Sequence, residues 1–212
     1  SLATEAGFHN YDAKFEDFSY GAVRARVATL SSESATLSQL RRKKLSPEEE
    51  IDAEILDGKI RAELLDLETL RWLHRDPMPY VAAAGGGVDA LMKRNFAPPA
   101  ERLRSVTARL EQAPALLAAM QANIAAPPKE YTELAIRMAS GSVSFFEETA
   151  RRWGERAAGP DAAAKDRHLR ACRAAGEAMR RSLQWLQEEL LGRSTGSYAI
   201  GAASFSKKLL YE

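Results

Sequence analysis

Apolar residues recur three and four positions apart along most of this chain, the spacing of one face of an α-helix, and strand-like alternation is nearly absent. The pattern predicts an all-α fold: a multi-helix bundle or array of long antiparallel helices with no significant sheet. In the first helix Val23, Val27, Leu30, Leu37 and Leu40 carry the stripe and Ser19 is placed to cap the start. Arg41, Arg42, Lys43 and Lys44 then set cations at the negative end of the helix dipole. The second start is the clearest in the sequence. Ser46 can cap, Pro47 suits the first helical position, and Glu49 completes a capping box. Leu56, Ile60, Leu64 and Leu67 form one stripe beyond it, with Ile51, Ile55, Leu65 and Trp72 beside it. So wide an apolar face predicts packing on more than one side.

Residues 77–87 contain two prolines and three consecutive glycines and read as a loop, with a short helix after it around Val88, Leu91 and Met92. Pro98 and Pro99 open a longer helix carrying Leu103, Val106, Leu110, Ala113, Leu117, Met120 and Ile124. Pro114 lies inside that pattern, so a kink or tight break is expected there. After Pro127 and Pro128 a further helix carries Tyr131, Leu134, Met138, Phe145, Thr149 and Trp153, with Gly141 as a weak point. The last long helix, beyond Gly159 and Pro160, has Leu169, Cys172, Gly176, Met179, Leu183, Leu186 and Leu190 at heptad spacing, an intramolecular bundle seam. A glycine- and serine-rich stretch at 192–201 leads to a short helix around Phe205 and Leu209 that stops uncapped at Glu212. The whole of 1–212 is expected to form a single helical lobe: an irregular segment 1–18, a helical core 19–191, and a loop plus short helix 192–212 leading to a further, C-terminal half.

A chain of 212 residues can bury roughly 70% of its unfolded surface, so neither metal nor disulfide is required to hold it. The formal net charge of +1 supplies no field that would draw nucleic acid. No apolar run approaches the roughly 20 residues of a membrane span. The one cysteine, Cys172, excludes an internal disulfide, and its place on the seam predicts a buried thiol.

Zinc peptidase chemistry needs two histidines four apart on one helix face and a glutamate to polarise water. His9, His74 and His168 lie on different elements, and each is expected at the surface or an interface. No cofactor or metal site is therefore expected within these residues. The triple glycine lacks the strand and the Lys-Ser or Lys-Thr pair of a phosphate loop. The opening segment differs in kind, because Gly7, His9, Asn10, Tyr11, Asp12, Glu16 and Asp17 cluster polar and aromatic groups outside any amphipathic helix. His9, Tyr11 and Asp12, with Tyr198 in the late loop, are the candidates for lining a substrate cleft.

Several stretches together resemble the bacterial family known as domain of unknown function 885. They are Ala3, Thr4, Gly7, His9, Tyr11 and Asp12; Leu45, Ser46, Ile51 and Asp52; Asp76, Pro77 and Tyr80; Arg94 to Pro98 and Arg102. Ala108, Arg109, Leu110 and Pro114, then Pro127, Pro128, Thr132 and Glu133, are the most specific, and Gly201, Phe205, Leu209 and Leu210 complete the series. The resemblance covers the whole chain. It implies an all-α lobe of a zinc-metallopeptidase-like protein whose His-Glu-x-x-His motif lies in a C-terminal half, so zinc is expected there and no ligand carries over to these residues. It also implies packing against that half and favours an extracytoplasmic, secreted or lipid-anchored, setting. A homo-oligomer through an exposed apolar tail, or a free-standing helical interaction module, is the alternative.

Overall fold

The computed structural model describes residues 2–211; Ser1 and Glu212, the latter read above as the stop of the final helix, lie outside the described residues. The chain is 80% helical and, among the described residues, forms no sheet, an all-α array. After a short turn of helix, α1 (Leu2–Glu5), and a 3-10 turn at His9–Tyr11 come α2 (Tyr20–Leu40), α3 (Pro47–Leu64), α4 (Trp72–Arg75) and α5 (Met78–Lys93). They are followed by α6 (Pro99–Asn123), α7 (Lys129–Ser144), α8 (Arg151–Ala158), α9 (Ala162–Trp185) and α10 (Ala202–Tyr211).

The starts follow from local chemistry. Ser19 Oγ accepts from the Ala22 amide at 3.3 Å, and Asp161 Oδ1 accepts from Ala164 at 2.9 Å. Ser46 and Glu49 form the reciprocal capping box, with the Glu49 amide donating to Ser46 Oγ and the Ser46 amide to Glu49 Oε2. Three helices run on through π turns, at Leu65–Leu70, Phe145–Ala150 and Leu186–Leu190. The first ends at Arg71, which sits in the left-handed region with φ 50°.

Helices α5 to α9 form the body. Helix α6 packs on α5, α8 and α9, and α9 also packs on α7. The α6 stripe from Leu103 to Met120 is buried as its spacing predicts, and it runs through Pro114 in an unbroken helix. The expected break is absent because Ala113, Leu116 and Leu117 are held in the core on both sides of the proline. On α9 and the π turn that follows it, the seam residues Cys172, Gly176, Met179, Leu186 and Leu190 are buried within the chain.

A second, smaller core belongs to an arm. Leu30, Leu37, Ala53 and Ile60 pack between α2 and α3, and α10 lies on α3. The wide face expected on α3 is only half used: Ile51, Ile55 and Leu56 remain 58%, 57% and 51% exposed.

The stretch 77–87 is not a loop. The three glycines lie inside α5, none with positive φ. Two of them act as close-packing positions: a Cβ on Gly85 would stand 2.9 Å from Ser142 Oγ, and one on Gly87 would stand 2.9 Å from the Phe15 ring, whereas one on Gly86 would meet nothing within 4 Å. Tertiary contact outweighs poor helix propensity here.

Candidate functional site

The N-terminal segment lies along α6 in an extended path tied down by side chains. Gln112 Nε2 donates to the Ala13 carbonyl at 2.7 Å, and the Phe15 amide donates to Gln112 Oε1 at 3.3 Å. Further on, Asn123 Nδ2 donates to the Phe18 carbonyl at 2.7 Å and to Tyr80 Oη at 2.9 Å. The segment thus follows α6 from Arg109 to Asn123, with Thr4 and Asp12 buried against the body.

At the start of this path, His9 stacks on Phe96 with ring centroids 4.0 Å apart and an interplanar angle of 15°. Its Nδ1 donates to Asp12 Oδ2 at 2.9 Å; the histidine side chain is 40% exposed and the carboxylate is buried. Thr4 Oγ1 donates to the other carboxylate oxygen at 2.7 Å. Arg109, wholly buried on α6, donates to Thr4 Oγ1 at 3.0 Å, hydrogen-bonds the Gly87 carbonyl, and lies over the Phe15 ring. Burial pulls the Arg109 guanidinium below its ordinary pKa, and the nearby Asp12 and Glu16 carboxylates oppose that pull. Asp12 fixes the orientation of His9 while Arg109 offsets the buried negative charge. What results is an oriented, half-exposed imidazole on an aromatic platform; farther along the segment a separate cavity of about 400 Å³ is lined by Phe15, Glu16, Asp17, Phe18 and Gln112. This arrangement can bind and orient a ligand through one ring edge.

Of the sequence candidates, His9 and Asp12 come together as a bonded pair and Tyr11 lies between them, 56% exposed. Tyr198 does not join them. Its loop is anchored where α6 ends, with the Gly196 amide donating to the Pro127 carbonyl at 3.1 Å and Arg75 bonding the Ser197 carbonyl. His9 and Tyr198 therefore stand at opposite ends of a 25-residue helix, roughly 37 Å long. Arg109, Thr4 and Phe96 escaped the sequence reading as site residues. Arg102 and Arg109 could have been noticed, because both fall on the buried stripe of α6 with Val106 and Ala113. Arg102 donates from Nη1 to the carbonyls of Leu91, Met92 and Arg94, which closes the end of α5.

His168 is also corrected: it is fully buried rather than at a surface. Its Nε2 donates to the Ala150 carbonyl at 2.9 Å, and burial lowers its pKa and so favours the neutral ring, whose Nδ1 then accepts from Thr107 Oγ1 at 3.0 Å. Cys172 Sγ lies 3.2 Å from Nε2, yet burial pushes the thiol up to about 12, so the pair is no nucleophile and base. Among the described residues no group of three or more His, Cys, Asp or Glu side chains is placed to hold a metal ion. No described helix is long and apolar enough to cross a membrane.

The chain belongs to the family described as bacterial protein of unknown function (DUF885), whose model matches residues 1–212. Among curated proteins none matches. A solved structure reported as "a putative lipoprotein of unknown function" from Shewanella oneidensis is similar over 99% of this chain, with 28% identity and a TM-score of 0.89. This chain spans 38% of the length of that one.

Proposed function

We propose that this chain is a non-catalytic helical lobe that walls a substrate cleft in a larger, zinc-dependent, peptidase-like hydrolase. The observation that supports the lobe in this reading is the neighbour from Shewanella oneidensis, which repeats the lobe at a TM-score of 0.89 and extends far beyond it, while the zinc-dependent hydrolase rests on what the family resemblance implies. The chemistry of the lobe is consistent with positioning a ligand. His9, held by Asp12 and Phe96, and the exposed Tyr11 would face the cleft, while the catalytic zinc and its ligands would come from a C-terminal half. Tyr198, at the far end of α6, would serve a separate contact. The lipoprotein description of the neighbour favours an extracytoplasmic setting for this chain too.

The test compares the 212-residue chain with the product of the complete gene by elemental analysis and peptide hydrolysis. One zinc per molecule and peptide cleavage by the complete product alone are expected. Stoichiometric zinc in the 212-residue chain, or none in the complete product, would overturn the reading. The exposed Phe205, Leu209 and Leu210 on α10 favour a second reading, a free-standing interaction module, which a complete gene ending at this lobe would support.

A further inference from the structure

On α3 the residues Ile51, Ile55, Gly58 and Ala62 are spaced four, three and four apart and so share one helical stripe. Helix α10 occupies only one end of it. The Tyr211 carbonyl oxygen lies 3.1 Å from where a Cβ on Gly58 would sit, a close approach that only glycine permits without displacement. Tyr211 also lies near enough to Arg61 to influence its guanidinium, and Lys208 Nζ stands 3.8 Å from Asp66 Oδ1. Later residues of α10 therefore meet earlier residues of α3, so the two helices run antiparallel. Prolonged in its own direction, the path of α10 passes over Ile55 and Ile51, the end of the stripe that stays more than half exposed. Gly58 and Ile51 are about 10 Å apart along the axis, about two helical turns. Exposed Asp52 and Glu54 flank that open end, as Asp66 flanks the end where Lys208 lies.

We infer that Ile51 and Ile55 are the seat of a helical segment of a longer polypeptide, continuing the line of α10, with an apolar stripe flanked by lysine or arginine. This rests on the lobe reading above and adds where the lobe is held. It makes the α2–α3 arm a part clasped by the remainder of the molecule.

The test is cysteine accessibility, for which the buried Cys172 thiol gives a slow background. Ile55→Cys is placed in the 212-residue chain and in the complete gene product, with Lys43→Cys in the hairpin turn as the control, and maleimide labelling is timed. In the complete product, labelling at position 55 is expected to slow by at least about tenfold while position 43 keeps its rate. Equal rates at 55 in the two proteins overturn the seat but leave the lobe reading standing. Slowing at both positions also overturns it, because the shielding is then not specific to the stripe. Protection at 55 already present in the 212-residue chain and relieved by dilution would assign the face to a second copy instead. A complete gene that ends at this lobe would remove the lobe reading, and the seat with it.

Discussion

Gly154 in α8 is the position where a single methyl group should do the most damage. A Cβ there would stand 2.0 Å from His168 Cδ2 and 2.1 Å from Nε2, whereas carbon atoms in contact rest about 3.5–4 Å apart. The ring would have to move by more than an ångström and would give up its bonds to the Ala150 carbonyl and Thr107. Overpacking costs about 1–3 kcal/mol. Each buried polar group left unpaired costs about 1–3 kcal/mol more, while alanine's better helix propensity restores about 1 kcal/mol. Gly154→Ala should therefore destabilise by about 2–8 kcal/mol and lower Tm by roughly 4–30 °C for a chain of this size. Circular-dichroism melts with urea titration measure it. Gly141→Ala in α7, where a Cβ meets nothing within 4 Å, should instead stabilise by about 1 kcal/mol. Adding His168→Ala should make the change at 154 nearly neutral, a coupling that a double-mutant cycle reads directly. A Gly154→Ala variant as stable as its parent would refute the reasoning.

Three further outcomes are expected. Burial lowers the folded-state pKa of His168 below its ordinary 6.5, so unfolding takes up a proton and stability should fall as pH drops below that value; His168→Gln should flatten this part of the pH profile. Arg109→Met should cost about 3–5 kcal/mol and speed hydrogen exchange over residues 4–15, and Arg109→Lys should not rescue it, because one ammonium cannot serve both Gly87 and Thr4; native-like exchange in either variant would refute the network. Leu30→Ala, in the small arm core, should cost about 2–5 kcal/mol and lift protection across α2 and α3 while the body keeps its own, as exchange mass spectrometry would record.

What could be seen in the sequence was local or periodic. Ser46 with Pro47 and Glu49 announces a helix start through bonds made within one turn, and the stripe from Leu103 to Met120 announces a core face through repetition. What could not be seen depends on partners distant in sequence. The three glycines of α5 look like a breaker until Ser142 is known to press against Gly85, and Phe15 and Arg109 against Gly87. His168 looks like a surface histidine until Gly154 and the Ala150 carbonyl, freed by a π turn, are found facing it. The candidate site was half legible: His9 and Asp12 are three residues apart, but the arginine that holds them is 97 positions beyond Asp12. Ile51 and Ile55 advertised an apolar face correctly, and the chain in hand does not cover it.

The glycine run in α5 also fixes an order of assembly. Three consecutive glycines cost about 3 kcal/mol relative to alanine, so the segment 78–93 holds almost no helix by itself. The segment of α9, long and rich in alanine, begins folding with far more residual helix, and α6, despite Pro114, packs on it. Their pairing should form the transition state, with α5 condensing afterwards onto a surface already shaped to receive its bare backbone. Substitutions at Val106 or Met179 should then slow folding, whereas those at Val88 or Leu91 should chiefly hasten unfolding, so that α5 governs how long the native lobe lasts and not how fast it appears.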